Sequence, residues 1–481
     1  TRCGFSHSSQ RGSRPWRPST GSEVFPQESS LASNRVSARG VAYEVLLEVE
    51  SEDAYANLLL PHALAASGLS DRDKALATEL VYGSARREGE LDAVITQASG
   101  RSLAQLQQEV LVVLRLGVYQ LLYLRVPDHA AVDEAVSLAK NRGLQRASGL
   151  VNAILRNVTR EPLEHWQELI EDDAALVASH PLWIAEAFYS ALQQSQGHGD
   201  LAAALEAHNE SPKVTLVHLP GFSTPSGDTT KFSPLGEVLP GGNPTAAAGV
   251  SEGLVRVQDE GSQLAALLLA RVQPLRPGER ILDMCSGPGG KTAVLGAEAL
   301  EAGAQVVAWE KAPHRARLVE KSVAAIAKRN SRTVSVVTGD ALRMPGESGS
   351  FSRVLVDAPC SGLGALRRRP EARWRKSLGD IASLVELQKA LLSRALELVE
   401  PGGVVAYVTC SPVVEETVEV VEAVCSQRGD CELLDTSEVL NQVTHTLVDG
   451  ARRGTAVQLW TYRHGCDDMF IQLIRTRASV V

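Results

Sequence analysis

DMCSGPGGKT, residues 283–292, decides the fold. Before it the apolar run Ile281-Leu282 ends on Asp283, and after it KTAVLGAEAL spaces its aliphatic residues three and four apart. The segment therefore reads as a strand-to-helix turn, in which Gly287, Gly289 and Gly290 let the backbone bend tightly and approach a ligand. Outward from it, the apolar runs RILDMC, QVVAWE, TVSVVTGD, RVLVDAP, VVAYVTC and MFIQLIRT alternate with the helical patterns KTAVLGAEAL, HRARLVEKSVAAIAKRN and SLVELQKALLSRALELV. This alternation predicts a doubly wound, mostly parallel, Rossmann-like α/β sheet over residues 251–481, with ligands at the carboxyl ends of its strands.

Three kinds of nucleotide site compete for the turn. A Walker loop reads G-x-x-x-x-G-K-[ST]; Gly290-Lys291-Thr292 fits its end, but position 285 is Cys and Pro288 supplies no amide donor. A dinucleotide G-x-G-x-x-G fails because position 292 is Thr. Two acids point to a nucleoside instead. Glu310 ends the second strand run, where a carboxylate accepts from both ribose hydroxyls, and Asp340 follows Gly339 at the end of the third, placed for an adenine edge. One strand-end acid alone is commonly a helix cap; two, each at its expected end after a glycine turn, favour a ligand. S-adenosylmethionine suits such a site, having no pyrophosphate to cradle. The expected cofactor residues are Cys285, Ser286, Gly287, Pro288, Gly289, Gly290, Lys291, Glu310, Asp340 and Asp357.

DAPCSG (357–362) and VTCSP (408–412) each place a cysteine just past a strand run. A cysteine is usually a small buried hydrophobe. Cys360 and Cys410 depart from that by position: they follow the fourth and fifth strands, expected to be neighbours near the switch point, and Pro359 and Pro412 favour fixed loops. A thiolate has a specific use beside a methyl donor. Carbon 5 of a pyrimidine is a poor nucleophile, and thiolate attack on carbon 6 makes it enamine-like, splitting one difficult step into two easier ones. Asp357, on the same turn as Cys360, is placed to share a proton with a ring nitrogen as charge builds. Cys3, Cys425, Cys431 and Cys466 lack such context, and Cys285 only lines the loop.

The rest of the chain bounds the setting. With 481 residues, 44% hydrophobic and 22% charged, it has room for two or three soluble domains. The formal charge of −9 argues against a generally basic nucleic-acid coat, though not against a local basic face. Seven cysteines without a C-x-x-C pair form neither a disulfide framework nor a zinc signature, so no metal is expected and a reducing cytoplasm fits. No apolar run approaches a membrane span. Residues 1–34, rich in Ser, Arg, Pro and Gly, are expected to be a disordered tail. Residues 35–165 carry about six helical patterns and read as an all-α bundle; residues 166–250 read as a small α/β connector, with a helical part, one strand (KVTLVHL) and a loop over 220–249. GVSEG (249–253) matches a serine-hydrolase elbow but precedes a strand, VRVQ, where that motif requires a helix.

The C-terminal region resembles the RNA cytosine-5 methyltransferases of the NOL1/NOP2/Sun family, through DMCSGPGGKT, DAPCSGLG, RRRPEARW (367–374), VTCSP and VQDEGSQ (257–263). The helical region is similar to the NusB-type RNA-binding domain of the Sun/Fmu-type bacterial 16S rRNA enzymes, through DAYANLLLP, DRDKALATELVYGSARR, RLGVYQLLYL and HAAVDEAVSLAK. The resemblance implies a multidomain chain: a NusB-like all-α bundle, a small α/β connector and a Rossmann-like methyltransferase domain. It also implies that Cys410 attacks the base and Cys360 assists release, an order that spacing leaves open. Position 310 is Glu where the family usually has Asp, and the loop reads CSGPGGK where CAAPGGK is commoner.

The implied activity is methyl transfer from S-adenosylmethionine to carbon 5 of a cytosine in free or partly assembled 16S rRNA; the oligomeric state is left open by the sequence, with a monomer favoured. The basic run after the DAPC loop then offers Arg367, Arg368, Arg369, Arg373 and Trp374 as phosphate and stacking contacts. Two other readings remain: the same chemistry on tRNA or another rRNA site, and a non-catalytic RNA-binding assembly factor, which would have lost Cys410 or the glycine turn.

Overall fold

The computed structural model describes residues 36–52, 54–171, 179–195, 199–242, 244–345 and 349–477; the expected tail at 1–34, with Cys3, lies outside them. Helices α1 (Ala38–Glu52), α2 (Ala56–Ala66), α3 (Asp71–Arg86), α4 (Glu88–Ser99), α5 (Gln108–Leu122), α6 (Asp128–Asn141), α7 (Ser148–Val158) and α8 (Leu163–Glu171) form the N-terminal bundle. Every residue of α5 from Val110 to Gln120 is buried, which makes it the central helix. Its one cation, Arg115, is paired with Glu50, Glu88 and Asp92 at 2.6, 3.2 and 2.6 Å. Two helices escaped the sequence reading. α2 holds Pro61 and buries only Ala56 and Leu60, so it shows little periodicity, and α8 is only nine residues long.

The connector contains α9 (Leu182–Gln193), α10 (Leu201–Glu206) and an antiparallel sheet ordered β2 (Gly236–Leu239), β1 (Val214–His218), β3 (Val255–Val257). β2 lies inside the stretch read as loop: four residues among prolines and glycines carry too weak a pattern. β3 pairs with β1 through Leu216↔Val257 and not with the large sheet, so the connector's sheet runs past residue 250.

The large sheet follows α11 (Glu260–Arg271). Its strands and helices run β4 (Arg280–Asp283), α12 (Gly290–Ala302), β5 (Gln305–Glu310), α13 (Pro313–Arg329), β6 (Val334–Thr338), β7 (Phe351–Asp357), α14 (Ala372–Arg375), α15 (Leu378–Leu398) and β8 (Val399–Thr409). α16 (Val418–Ser426), β9 (Cys431–Leu433), α17 (Thr436–Val443), β10 (Arg452–Arg453), β11 (Ala456–Leu459), α18 (Thr461–His464) and β12 (Met469–Thr476) complete it. The strand order is β10-β11-β12-β8-β7-β4-β5-β6, with β9 also on β12. β6, β5, β4, β7 and β8 are mutually parallel, whereas β12 enters antiparallel beside β8. The chain winds outward from β4 through β5 to β6, then returns to the other side of β4 as β7. The switch point thus lies between β4 and β7, where a crevice opens at the strands' carboxyl ends. The expected mixed α/β domain behind an all-α bundle is what the chain builds.

Candidate active site

β4, β5, β7 and β8 deliver their last residues to one edge of the sheet. Asp283 ends β4, and α12 starts at Gly290 after a left-handed Gly289 (φ 103°). A Cβ on Gly289 would stand 2.6 Å from the Ser322 side chain, and one on Gly287 2.3 Å from Glu310 Oε2. Glycine is therefore required at both, and the bare backbone leaves room for a ligand to come close. Asp283, fully buried, accepts from Thr292 Oγ1 at 2.7 Å; burial pushes its carboxyl up to about 7. Its role is to brace the turn from beneath.

Glu310 ends β5 and accepts from Gly287 N and Ala312 N, both at 2.9 Å. Each oxygen keeps lone-pair capacity, so the carboxylate suits a pair of ribose hydroxyls. Asp340, after β6, accepts from Leu342 N and pairs with Lys311 at 3.0 Å. Its hydrogen bond with Lys311 holds the carboxyl below its ordinary range. Ser286 is tied to Trp309 O, Pro288 O accepts from Ser322, and burial pushes the Cys285 thiol up, leaving it unreactive. Open glycine backbone flanked by strand-end acids fits a nucleoside with a sulfonium chain.

Lys291, in the first turn of α12, reaches Asp357 Oδ2 at the end of β7, 2.8 Å away. Burial opposes its charge, but Asp357, by charge and hydrogen bond, with Cys410 and Asp283 more than offsets this and raises its pKa. Beside this pair, Cys360 Sγ and Cys410 Sγ lie 3.4 Å apart, on the loops after β7 and β8. The hydrogen bond from Cys360 lowers the Cys410 thiol, outweighing burial, with Lys291 contributing; the same bond, burial and Glu416 hold Cys360 protonated. The expected cofactor and cysteine residues are thus brought to one face. Among the described residues no cluster of His, Cys, Asp and Glu suits a metal.

The basic run is placed differently from the sequence expectation. Arg367 is buried and pairs with Asp259 at 3.2 Å and Asp467 at 2.8 Å; Arg368 binds the same two carboxylates at 2.7 and 2.8 Å. Arg373 is fully buried and donates to Arg86 O, Ser179 O and Asn209 Oδ1 at 2.8, 3.0 and 2.9 Å. In the same stretch Arg86 Nε donates to Arg367 O at 3.1 Å, Glu371 accepts from Ala56 N at 3.1 Å, and Arg375 reaches Val49 O. The segment 367–375 therefore fastens the sheet domain to the bundle. The Arg373 side chain is spent on that joint, and those of Arg367 and Arg368 on Asp259 and Asp467 beside it. Arg369 and Trp374 alone of the five are exposed.

Sequence reasoning missed Asp259 and Asp467 as the counter-ions of the run, and Glu416 altogether. Asp259 lay inside the flagged VQDEGSQ, so a search for acids to match the arginines could have found it. Nothing local distinguishes Glu416 from Glu415.

A thiol pair beside a glycine turn flanked by strand-end acids, at the switch point of a doubly wound sheet, is the arrangement expected of a transferase that uses a nucleoside cofactor. Comparison with known proteins gives the family. Residues 270–475 match the pattern described as 16S rRNA methyltransferase RsmB/F, and residues 36–160 match the NusB family. A Mycobacterium tuberculosis (strain H37Rv) protein, Rv1407, provisionally named a methyltransferase, is 43% identical over 457 residues, covering 91% of this chain and 96% of its own. Ribosomal RNA small subunit methyltransferase B of Pasteurella multocida is 32% identical over 419 residues, covering 83% and 89%. The crystal structure of PH0851 superposes with a TM-score of 0.71 over 92% of this chain and all of that one, at 19% identity, a likeness of fold. The chain belongs to the RsmB/F family of S-adenosylmethionine-dependent rRNA methyltransferases.

Proposed function

We propose that this protein methylates carbon 5 of a cytosine in 16S rRNA through a covalent bond between Cys410 and carbon 6 of the base. The observation that carries the reading is the thiol pair, 3.4 Å apart, beside the Lys291–Asp357 pair, 2.8 Å apart, at adjoining parallel strand ends. S-adenosylmethionine supplies an electrophilic methyl on its sulfonium. Cys410, the more acidic thiol, gives its electron pair to carbon 6, and the ring electrons move to carbon 5. Asp357, held by Lys291, faces the polar edge of the base and shares a proton with its ring nitrogen. With S-adenosylmethionine bound, carbon 5 would take the methyl, the electrons of the broken carbon–sulfur bond staying on the sulfur, and would then carry both hydrogen and methyl. Loss of that proton restores the ring double bond as Cys410 leaves with its electrons, and Cys360, in hydrogen-bond contact with Cys410, assists this departure. Glu310 and Asp340 hold the ribose and adenine of the cofactor, and exposed Arg369 and Trp374 meet RNA.

Tritiated S-adenosylmethionine with protein-free 16S rRNA, followed by nuclease digestion and mass spectrometry, tests this. Label at carbon 5 of one cytosine is expected. Label on tRNA alone would discard the 16S assignment, and no transfer to any RNA despite cofactor binding would leave an RNA-binding assembly factor.

A further inference from the structure

The two cysteine loops meet at a third group. Glu416, in the short turn after the Cys410 loop, is fully buried. Its Oε1 accepts from Ser361 N at 2.7 Å and Gln388 Nε2 at 3.1 Å, and its Oε2 from Ser361 Oγ at 2.5 Å and Ser411 Oγ at 2.6 Å. Ser361 follows Cys360 and Ser411 follows Cys410, so one carboxylate binds the residue next to each thiol. Gln388, on α15, also donates to Pro359 O at 2.8 Å on the far side of Cys360, and Tyr407 donates to the Glu416 carbonyl at 2.8 Å. Main-chain bonds join the loops at their ends, Ala358 N to Val408 O and Gly364 N to Cys410 O, both 2.9 Å; between them Ser361 Oγ and Ser411 Oγ meet at 3.2 Å, and the carboxylate binds both hydroxyls. A carboxylate is acceptor-only, and two oxygens suffice for four donors; an amide offers one. A buried carboxylate carries a desolvation cost, and Glu416 meets it with these four hydrogen bonds.

We infer that Glu416 is a positioning residue that sets the Cys360–Cys410 separation and holds a negative charge on the Cys360 side of the pair. The inference rests on the two-cysteine mechanism proposed above. Lys291 stands by Cys410 and Glu416 by Cys360, so the two thiols are kept unlike: one ready to attack, the other retaining its proton.

Glu416→Gln tests it with a readout that asks only about the thiols. Diamide takes both thiol hydrogens onto its N=N bond as the Cys360–Cys410 disulfide forms, closing 3.4 Å to about 2.05 Å. In Glu416→Gln this rate should fall at least ten-fold, with kcat reduced by a similar factor and KM for RNA and cofactor affinity retained. Iodoacetamide should alkylate Cys360 at lower pH than in the native protein. Wild-type disulfide rate, kcat and alkylation profile in a folded Glu416→Gln would overturn the inference. Should that variant lose its melting transition, the Ser361→Ala/Ser411→Ala double variant removes both hydroxyl bonds to the carboxylate and leaves the Ser361 N bond and the carboxylate itself; slowing of disulfide formation is still expected, and its absence would be decisive against. A native protein that never forms a covalent RNA adduct would instead sink the underlying mechanism, independently of these rates.

Discussion

Arg373→Ala separates the joint from the nucleic-acid reading of the basic run. The guanidinium is held by acceptors from several segments. Its Nη1 donates to Arg86 O, Ser179 O and Asn209 Oδ1, and its Nη2 to His208 O at 3.4 Å. Burial pulls its pKa down to about 9, which still leaves it charged at neutral pH. Truncation leaves four acceptors in three segments without these bonds, and hydrogen bonds to a charged group contribute about 1.5–3 kcal/mol each. The effects are not additive, and the variant no longer buries a charge, so the net loss is about 3–5 kcal/mol. A chain of this length gains about 2.1 cal/mol/K per residue on melting, roughly 1 °C per kcal/mol if it melts as one unit. Thermal melting should therefore drop by about 3–5 °C, and the urea midpoint, read by fluorescence of neighbouring Trp374, should fall. The salt dependence of RNA binding should not change. The opposite pattern, unaltered melting with a slope of log K against log salt reduced by about 0.7–0.9, would mean that Arg373 meets a phosphate and that the burial argument is wrong.

The remaining expectations concern the site. Cys410→Ala should abolish methyl transfer while leaving cofactor affinity by calorimetry within two-fold; retained turnover would remove it as nucleophile. Cys360→Ala should accumulate a protein–RNA adduct, seen as a slow band on a denaturing gel, and a clean lane would count against a role in release. Glu310→Ala should weaken cofactor binding about ten-fold or more, since it removes both the ribose acceptor and the brace on Gly287; calorimetry reads this directly. Iodoacetamide labelling against pH should place Cys410 below the ordinary thiol value of about 8.5 and Cys360 above it, because the shared hydrogen bond favours charge on Cys410. Reversed order would exchange the assigned roles.

The parallel core of the sheet was legible because its central strands, β4, β7 and β8, are largely buried and read as apolar runs, while the glycine turn announced its ligand edge. The short antiparallel pieces were not. β10 has two residues and β2 four, too few for a period to show. Cys360 and Cys410 could be nominated because strands four and five of an alternating pattern fall side by side. The fate of the arginines could not be read, because the carboxylate partners of Arg367, Asp259 and Asp467, lie 108 and 100 positions away on either side. Charge density in sequence said where the cations were, and only the fold says what they face.

The placement of β12 has a consequence for how the enzyme comes into being. β8, the strand that leads to Cys410, lies between β7 and β12, and β12 pairs with it along Val404–Thr409. Until β12 is synthesised and docked, β8 is an unpaired edge of largely apolar residues, the state most open to misassembly. Cys410 therefore gains its final setting only after the rest of the sheet stands, and a nascent chain stalled before Met469 holds its glycine turn but not the finished thiol pair.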